Sequence, residues 1–425
     1  MNKRVKKTIW LFIIIILLIT FCIWVNSRWK AWFYNPEEKP YTALQAPGRI
    51  MLTFGNDNAL SRNISWQYDS IVHPDSYVEL ADCERQDTCR IPATGEAFQS
   101  RNGKMAYYVA RLRDLRKATD YSYRVHNGAK SSEWHSFATH NAATDDYSFI
   151  FIGDVQDTLK GKTNLLLRSA LQRHPKTEFL VCGGDLTERP IDYHWQETFD
   201  GLDSISQSMP ILNVTGNHDY LKYIIRKLER RFSLIFSYFL DSAMGENQVY
   251  TLRYNDMQIF CLDSNREFFY LWTQKKWLEN ALKNSDAKWK IVVLHHPLYS
   301  VKGKSRHKTQ QKLFDPLIRE YGVDLVMQGH EHTYARMTNK TSENTPVTPV
   351  YTISHCSPKN YNIKPNAKMD VQDFDGRYYQ IVRIHGDTLS MSTYNVYDHS
   401  LTDSLDIVHN ANGKTILNRI DKILE

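Results

Sequence analysis

From residue 145 onward, the sequence alternates between short apolar runs and longer amphipathic stretches. Short apolar runs bounded by glycine or polar residues indicate buried strands, so we expect an α/β arrangement of strands and helices. The predicted strands are 148–152, 179–182, 211–214, 258–262, 291–294 and 325–327. The predicted helices are 163–173, 193–207, 274–282 and 310–321. Residues 378–409 predict strands that close the sheet, and residues 415–424 predict an amphipathic tail helix.

Five of these strands run directly into a short polar block. Carboxyl ends of strands are where α/β folds place their sites, so residues up to about 180 positions apart in sequence are expected to meet there. Glycines in the blocks let the backbone turn tightly as it leaves a strand. The blocks are Gly153-Asp154-Val155-Gln156, Gly184-Asp185, Gly216-Asn217-His218-Asp219, His295-His296-Pro297 and Gly329-His330-Glu331-His332.

These blocks contain the side chains of a metal site with oxygen and nitrogen ligands. Carboxylate, amide oxygen and imidazole suit Mn, Fe, Zn or a mixture of them, and the set has no thiolate to select Cu(I) or an iron–sulfur cluster. One carboxylate can bridge two cations, and a hydroxide held between such cations attacks phosphorus in line. The blocks therefore predict a dinuclear, phosphate-cleaving centre. The candidate ligands are Asp154, Asp185, Asn217, His295, His330 and His332.

The region before residue 142 has a different pattern, with short runs rich in β-branched and aromatic residues between turn-forming residues. About 100 residues of this kind predict a small β-sandwich. The predicted strands are 49–54, 63–68, 76–80, 105–110, 121–125 and 133–137. Cys83 and Cys89 bracket a short polar loop, and in an exported domain they either pair as a disulfide or remain free thiols.

Residues 9–25 form an almost unbroken apolar run at the lower length limit for a membrane-spanning helix. Basic residues precede the run, so we expect residues 1–8 to stay in the cytoplasm and the rest of the chain to be exported to the periplasmic or extracellular side. A cleaved signal peptide is the alternative. The run is long for a signal peptide and no small-x-small cleavage site follows it, so we favour an uncleaved anchor and a linker over residues 26–44.

The net charge of +6 is concentrated at the N-terminus. Residues 1–30 contain six basic residues and no acidic one, so the remainder of the chain is neutral overall. Bulk charge therefore does not indicate a nucleic-acid partner. One local exception is the basic loop over residues 302–308, for which a solvated loop is the simpler interpretation.

The motifs resemble those of the calcineurin-like metallophosphoesterase superfamily, and most closely its purple acid phosphatase branch. The run Gly329-His330-Glu331-His332-Thr333-Tyr334-Ala335-Arg336 is similar to the Gly-His-x-His-x-Tyr-Glu-Arg block of that branch, with alanine in place of glutamate. Residues 292–300 are similar to its His-x-Pro block. Leu115, Thr119, Tyr121, Tyr123-Arg124 and Phe137-Ala138-Thr139 resemble the fibronectin-like domain that precedes the catalytic domain there.

The resemblance implies a fibronectin type III-like domain over residues 45–142, a metallophosphoesterase domain with a β-sandwich flanked by helices over 143–400, and a tail over 401–425. One metal would be held by Asp154, Asp185 and His332. The second metal would be held by Asp185, Asn217, His295 and His330, with Asp185 as the bridge. His218 would contact the substrate phosphate or protonate the leaving oxygen, and Asn217, His296, Tyr334 and Arg336 are further candidates for substrate contact.

Two positions depart from the family pattern. The superfamily has histidine two places after the first aspartate, where this chain has Gln156, and the purple branch has tyrosine three places after the second aspartate, where this chain has Glu188. Gln156 either coordinates through its amide oxygen or supports the ligands by hydrogen bonding. Glu188 either coordinates or opens the following helix. Without a phenolate ligand, we expect a divalent or mixed-valence pair of Fe, Mn or Zn ions and no purple colour.

The expected activity is hydrolysis of a small phosphate ester by a metal-held hydroxide, with phosphomonoesters favoured by the resemblance. A phosphodiesterase on the same site is the first alternative, because two-metal chemistry serves both substrates. A binding protein with an impaired first metal site is the second alternative. The sequence leaves the oligomeric state undetermined.

Overall fold

The structure is a computed structural model that describes residues 3–420 apart from 56–58, 86, 142, 157–160, 241–243, 245–247, 303–306, 344 and 412. In chain order, the helices are α1 Lys3–Phe33, α2 Thr163–Arg173, α3 Asp192–Gly201, α4 Ile205–Ser208, α5 Arg230–Phe236, α6 Phe268–Lys283 and α7 Lys308–Glu320. The strands are β1 Gly48–Phe54, β2 Arg62–Gln67, β3 Ser76–Asp82, β4 Asp87–Gln99, β5 Lys104–Leu112, β6 Asp120–Asn127, β7 Lys130–Ser131, β8 His135–Ala138, β9 Asp146–Ile152, β10 Thr177–Cys182, β11 Ile211–Asn213, β12 Tyr220–Leu221, β13 Lys227–Leu228, β14 Tyr250–Tyr254, β15 Met257–Leu262, β16 Trp289–Leu294, β17 Leu325–Gln328, β18 Tyr334–Lys340, β19 Pro346–Ile353, β20 Val371–Asp373, β21 Tyr378–His385, β22 Thr388–Asn395, β23 Leu401–Asn410 and β24 Gly413–Ile420.

One long sheet joins the N-terminal β region to the α/β region. Its strand order is β24-β23-β22-β21-β9-β10-β11-β1-β2-β5-β4-β3-β6-β7, with β8 paired to β6. The junction is a parallel pairing of β1 with β11, in which Thr53 lies opposite Ile211. The predicted division at residue 142 therefore separates two stretches of sequence that share hydrogen bonds along one sheet.

A second sheet has the order β14-β15-β16-β17-β19-β18-β20 and packs on the first. Side chains alternate along its strands, since successive residues of a strand point to opposite faces. Ile291 and Val293 of β16 face the first sheet and share a buried core with Phe149 of β9. Val292 and Leu294 face the other way, into a core that includes residues of α6 and α7. The predicted arrangement of strands in two packed sheets with helices on the outside is confirmed.

The two ends of the chain differ from the sequence-based expectation. Helix α1 continues to Phe33, so the predicted linker over residues 26–44 begins as helix. The helix predicted over 415–424 is wrong in its described part, because Gly413–Ile420 is a strand paired to β23. The predicted tail over 401–425 thus contributes two strands to the main sheet. The run Thr415-Ile416-Leu417 suits a strand, and the cross-strand pairing outweighs its helical periodicity.

In the N-terminal β region, strand β4 was not predicted from the sequence. Its first half pairs with β3 as far as Pro92, and its second half pairs with β5 from Ala93 onward, so the strand crosses between two neighbours. Pro92 and Gly95 are unfavourable inside a strand, so the sequence of this segment does not indicate one. Cys83 and Cys89 are free thiols, and the Cys83 sulfur lies 3.4 Å from the hydroxyl of Ser122.

Candidate metal centre and active-site cleft

The polar blocks lie at the carboxyl ends of β9, β10 and β11 in the first sheet and of β16 and β17 in the second. Backbone hydrogen bonds hold neighbouring blocks together. The Asp154 N–H donates to the Gly184 carbonyl oxygen at 3.1 Å, and the Gly329 N–H donates to the His295 carbonyl oxygen at 3.0 Å. The two sheets therefore present their strand ends to one shared point, as the sequence predicted.

Three ligands predicted for the second metal surround one nitrogen of His295. Its Nδ1 donates to the carbonyl oxygen of Gly183 at 2.8 Å, which leaves Nε2 directed into the site. Nε2 lies 3.2 Å from Asn217 Oδ1, 3.2 Å from Asp185 Oδ2 and 3.2 Å from His330 Nδ1. Such a convergence of two oxygens and two nitrogens is the donor set of a divalent cation site.

The remaining predicted ligands lie beside this group. The Oδ2 atom of Asp154 accepts the backbone N–H of His330 at 2.5 Å. Its Oδ1 atom lies 3.5 Å from Nε2 of His332. The Nδ1 atom of His332 donates to the Lys359 carbonyl oxygen at 2.6 Å, and the ring stacks on Tyr361 at a centroid distance of 4.4 Å. Both contacts fix the ring so that Nε2 faces Asp154.

The backbone at the site is unusual, because four of these polar residues have positive φ. The values are 46° at Asp154, 39° at Gln156, 51° at Asp185 and 70° at His330. Residues other than glycine occupy this region at a cost, and such residues concentrate at functional sites. The strained turns aim the carboxylates and the imidazole at a common point.

Two glycines are required by the same close packing. A Cβ atom on Gly216 would lie 2.0 Å from Asp185 Oδ1, and a Cβ on Gly329 would lie 2.4 Å from Asp154 Oδ2. Each carboxylate occupies the space beside a glycine because it accepts a backbone N–H just beyond it, from His218 at 2.7 Å and from His330 respectively.

The side chains at the site fit a metal cation. Oδ1 of Asp154 is fully buried and lacks a hydrogen-bond partner among the residues that the structure describes. Burial alone would lower the pKa of His295, yet Asp185 and Asp154 raise that pKa to about 9. Burial would raise the pKa of Asp185, but His295 and His218 hold it well below its usual range. The buried carboxylates thus create a negative field that a cation would neutralise.

The two departures from the family pattern occupy different places. The Gln156 amide is at the centre, with Nε2 3.3 Å from Asp185 Oδ2. Glu188 lies at the rim, where its carboxylate is 3.7 Å from His218 Nδ1 and 3.8 Å from Arg189. The Glu188 carbonyl oxygen accepts a 2.5 Å hydrogen bond from His218 Nδ1. Glu188 therefore contacts His218 in the structure through both its backbone and its side chain.

His218 and His296 lie on either side of the predicted ligands. His218 Nε2 faces Asp185 Oδ2 at 3.9 Å, and its side chain is partly exposed. His296 is buried, and its Nδ1 lies 3.0 Å from the Ser264 hydroxyl. His307 was read in sequence as part of a solvated loop, yet its ring centroid is 4.4 Å from that of His296. The two histidines lie 11 positions apart in the connection between β16 and α7, and no periodic pattern there indicates that their rings meet.

Tyr334 and Arg336 do not contact the site, so their predicted role in substrate contact is wrong. Both side chains are buried, and both bind the carboxylate of Asp403. The Tyr334 hydroxyl donates to Asp403 Oδ2 at 2.7 Å, and Arg336 Nε donates to the same oxygen at 2.6 Å. These two residues of the motif stabilise the fold, because β18 directs their side chains towards Asp403 of β23.

A cleft of about 750 Å³ opens beside the predicted ligands. Asn217, His296 and His330 form its inner end. Mostly polar side chains line its wall, and burial beside Arg189 and Arg226 lowers the pKa of one of them, Lys222. The wall residues are Tyr220, Lys222, Tyr223, Ile224, Arg226, Asn265, Arg266, Glu267, His307 and Gln310, together with Trp32 and Phe33 of α1.

Comparison with known proteins identifies two domains in this chain. Residues 147–334 match the family described as calcineurin-like phosphoesterase, and residues 47–139 match the purple acid phosphatase N-terminal domain. Purple acid phosphatase 5 of Arabidopsis thaliana is 24% identical over 70% of this chain and 72% of its own length. Purple acid phosphatase 1 of Ipomoea batatas is 27% identical over 68% of this chain and 64% of its own length.

Other relatives match over a shorter segment. Purple acid phosphatase 17 of Arabidopsis thaliana is 29% identical, but the match covers 31% of this chain and 43% of that protein. Among solved structures, a chain titled "GAP50 the anchor in the inner membrane complex of Plasmodium" aligns with a TM-score of 0.44 and 12% identity, over 61% of this chain and 87% of that chain. That degree of likeness supports no conclusion about function.

Proposed function

We propose that this chain, a member of the calcineurin-like phosphoesterases with a purple acid phosphatase N-terminal domain, hydrolyses phosphate esters at the centre formed by its five polar blocks. The observation that carries the proposal is the convergence on His295 Nε2, where Asn217, Asp185 and His330 each place a donor atom at 3.2 Å. The names of the relatives point to the same class of reaction.

The proposed ligands divide into two groups that share Asp185. One group is Asp154, Asp185 and His332, with Gln156 beside them, and the other is Asp185, Asn217, His295 and His330. Two divalent or mixed-valence ions of Fe, Mn or Zn held there would supply an activated water molecule and offset charge on the phosphoryl oxygens. One relative is named an Fe(3+)-Zn(2+) purple acid phosphatase, which supports a pair of unlike metals here.

The protein's own residues would orient the ester and move a proton. The Glu188 carbonyl oxygen binds Nδ1 of His218, so the tautomer with hydrogen on Nδ1 is favoured and Nε2 faces the centre. From that position His218 would contact the phosphate or, in its protonated form, donate a proton to the leaving oxygen. Asn217 and His296 line the inner end of the cleft and would contact the phosphoryl oxygens, with Lys222 and Arg226 adding positive charge.

We also propose that α1 is an uncleaved membrane anchor and that the catalytic centre lies on the exported side. Within the described residues, Lys3–Lys30 is long and apolar enough to cross a membrane, and its most apolar stretch is not buried by the rest of the chain. Basic residues before the apolar run favour a cytoplasmic N-terminus.

Phosphomonoesters are the favoured substrates, and phosphodiesters are the alternative on the same site. A binding protein with an impaired first metal site is a further candidate, which the rim position of Glu188 favours because that carboxylate faces His218. To decide, the full chain is assayed with p-nitrophenyl phosphate and bis-p-nitrophenyl phosphate across added Mn²⁺, Zn²⁺ and Fe²⁺, with Asp185→Asn as the inactive variant and Asp387→Asn as a surface control. Equal activity in the wild-type protein and Asp185→Asn would overturn the mechanism, and metal binding without turnover would support the binding protein.

A further inference from the structure

Three apolar segments meet at the mouth of the cleft. The first is the end of α1, where Trp32 and Phe33 line the cleft directly. The second is the loop Tyr223-Ile224-Ile225, and the third is the start of α6, with Phe268, Phe269 and Trp272. We call these eight residues the apolar rim.

Hydrogen bonds fix the three segments to one another. The Asn35 side chain, two residues beyond α1, donates to the Lys222 carbonyl oxygen at 2.9 Å and accepts the Lys222 N–H at 2.7 Å. On the other side of the loop, the Arg226 N–H donates to Glu267 Oε1 at 2.8 Å, and the Arg226 guanidinium donates to the Asn265 carbonyl oxygen at 3.0 Å. The rim is therefore one surface whose parts keep their relative positions.

Most of the rim is exposed although its side chains are large and apolar. Ile224 is 90% exposed, Phe269 is 75% exposed, and Phe268 and Ile225 are about 60% exposed. Exposed apolar residues are common singly, but a contiguous group beside a binding cleft marks an interaction surface. Surfaces of this kind bury their side chains in a partner or in a membrane.

The position of α1 identifies the membrane as the occupant. A helix rises 1.5 Å per residue, so Phe33 lies about 12 Å beyond Val25, where the apolar run ends. Trp24 lies at the end of the apolar run and Trp29 and Trp32 lie beyond it, as tryptophan does at the boundary between hydrocarbon and water. The cleft mouth, which Trp32 and Phe33 line, is thus held at the level of the lipid head groups.

Charge around the rim complements anionic lipids. Arg226 and Lys227 follow the loop directly and are exposed, and Lys276 is exposed on α6. Within α1, Arg28 and Lys30 lie between the tryptophans. Basic residues that flank an apolar insertion surface are attracted to a leaflet that contains anionic lipids.

We propose that the apolar rim inserts into the bilayer that α1 spans, and that the substrate is the phosphate monoester of an amphiphile resident in that bilayer. This rests on the proposed phosphoesterase activity. The phosphate would enter the inner end of the cleft at Asn217 and His296, while the hydrocarbon part stays between Trp32 and Ile224. Water adds to phosphorus, the bond from phosphorus to the lipid oxygen breaks, and that oxygen takes a proton, which gives inorganic phosphate and a lipid alcohol.

The location of the rim is tested with the full chain reconstituted in vesicles of phosphatidylcholine and phosphatidylglycerol. Spin labels are attached at Ile225→Cys, Phe269→Cys and the matched control Ile71→Cys, each in a background with Cys22, Cys83 and Cys89 replaced by serine. Ile71 is 61% exposed on the N-terminal β region. We expect molecular oxygen to relax the labels at 225 and 269 more than a water-soluble nickel chelate does, and the reverse at 71. Labels at 225 and 269 that behave as the label at 71, or that are shielded from both reagents by a protein partner, would overturn the proposal.

The substrate is tested in the same vesicles with long-chain phosphatidic acid and with soluble p-nitrophenyl phosphate. The double variant Ile225→Ser/Phe269→Ser is expected to lower the ratio of the lipid rate to the soluble rate by about tenfold, because two apolar side chains no longer enter the bilayer. The matched variant Ile71→Ser should leave the ratio unchanged. Exposed positions of this kind tolerate substitution with little change in stability, so the variants remain folded.

The possible results separate the two proposals. Turnover of p-nitrophenyl phosphate without turnover of phosphatidic acid would overturn the lipid substrate and leave the phosphoesterase activity intact. Turnover of neither would refute the phosphoesterase activity, and the spin-label result would still decide whether the rim lies in the membrane. An unchanged ratio in the double variant would contradict a role of the rim in substrate access.

Discussion

Nδ1 of His295 donates a 2.8 Å hydrogen bond to the carbonyl oxygen of Gly183, and this bond joins a strand end of one sheet to a strand end of the other. Gly183 follows β10 in the first sheet, and His295 follows β16 in the second. The bond fixes which nitrogen of the imidazole faces the ligands, so the ring orientation depends on how the sheets pack. The proposed metal centre therefore depends on how the two sheets pack together.

The close approach of Gly216 to Asp185 predicts a sharp effect of one added methyl group. In Gly216→Ala the Cβ atom would lie 2.0 Å from Asp185 Oδ1, so the carboxylate has to move away from the His218 N–H. We expect turnover of p-nitrophenyl phosphate to fall at least tenfold and stability to fall by about 1–3 kcal/mol, as for other overpacked sites. Gly201→Ala is the control, because its Cβ would meet only ordinary contacts at 3.5 Å. Equal rates in the two variants would contradict this account of the site.

The buried pairing of Arg336 with Asp403 predicts a loss of stability without a change in substrate affinity. Arg336→Leu leaves the carboxylate of Asp403 buried with Tyr334 as its remaining partner, which costs about 3–5 kcal/mol by analogy with other broken buried pairs. Urea unfolding measures this loss, and KM of the folded variant should equal that of the wild-type protein. Arg383→Leu breaks an exposed pair with Asp146 and should cost about 1 kcal/mol or less. A raised KM in Arg336→Leu would restore the substrate-contact role.

The buried carboxyl group of Glu229, which lies beside Arg231, predicts that the stability of the fold depends on pH. Burial raises its pKa to about 7, although the neighbouring Arg231 opposes the shift, and Glu38 shares that arginine. The folded state therefore holds a proton that the unfolded state has released between about pH 4.5 and pH 7. Stability from this group falls across that window as pH rises, by at most about 1.4 kcal/mol per pH unit.

Glu229→Gln isolates this contribution, because an amide oxygen can still accept the Arg231 N–H that the carboxylate accepts at 2.9 Å. The difference in unfolding free energy between the wild-type protein and the variant should change across pH 4.5–7 and level off on either side. A difference that is constant with pH would show that Glu229 titrates normally in the folded protein.

The rim position of Glu188 predicts a colourless metal centre. No phenolate stands three places after Asp185, and the Glu188 carboxylate lies 3.7 Å from His218 Nδ1. We expect metal-replete protein to show no charge-transfer band in the visible spectrum. A band would contradict the prediction, and its loss in Tyr361→Phe would identify the tyrosine that stacks on His332 as its source.

The sequence predicted which candidate ligands meet better than it predicted the contacts of the residues around them. Ligands that follow strand ends converge once the sheet forms, so spacing and order were sufficient to bring Asp154 and His332 together. The role of Tyr334 was misjudged because its partner Asp403 is 69 positions away and lies on the other sheet. Neither the alternation of apolar and polar residues in β18 nor the motif over residues 329–336 shows which face of this strand packs against β23.

The cleft wall could not be predicted either, because it is built from segments without local signals. Asn35, two residues beyond α1, forms two hydrogen bonds with Lys222, and these depend on where α1 ends. The sequence indicated a linker where the helix continues to Phe33. Neither composition nor periodicity indicates a contact between the segment that follows α1 and a loop that is 187 positions away.

The proposed two-metal mechanism is tested by measuring metal stoichiometry and turnover on the same samples. Metal-free full chain is titrated with Mn²⁺ or Zn²⁺, bound metal is counted by mass spectrometry of the element, and p-nitrophenyl phosphate hydrolysis is followed at each point. The account predicts that activity appears as two equivalents bind and that Asp185→Asn, which lacks the bridging carboxylate, loses both the second equivalent and at least about three orders of magnitude in kcat. Full activity at one equivalent, or unchanged activity in Asp185→Asn, would contradict it.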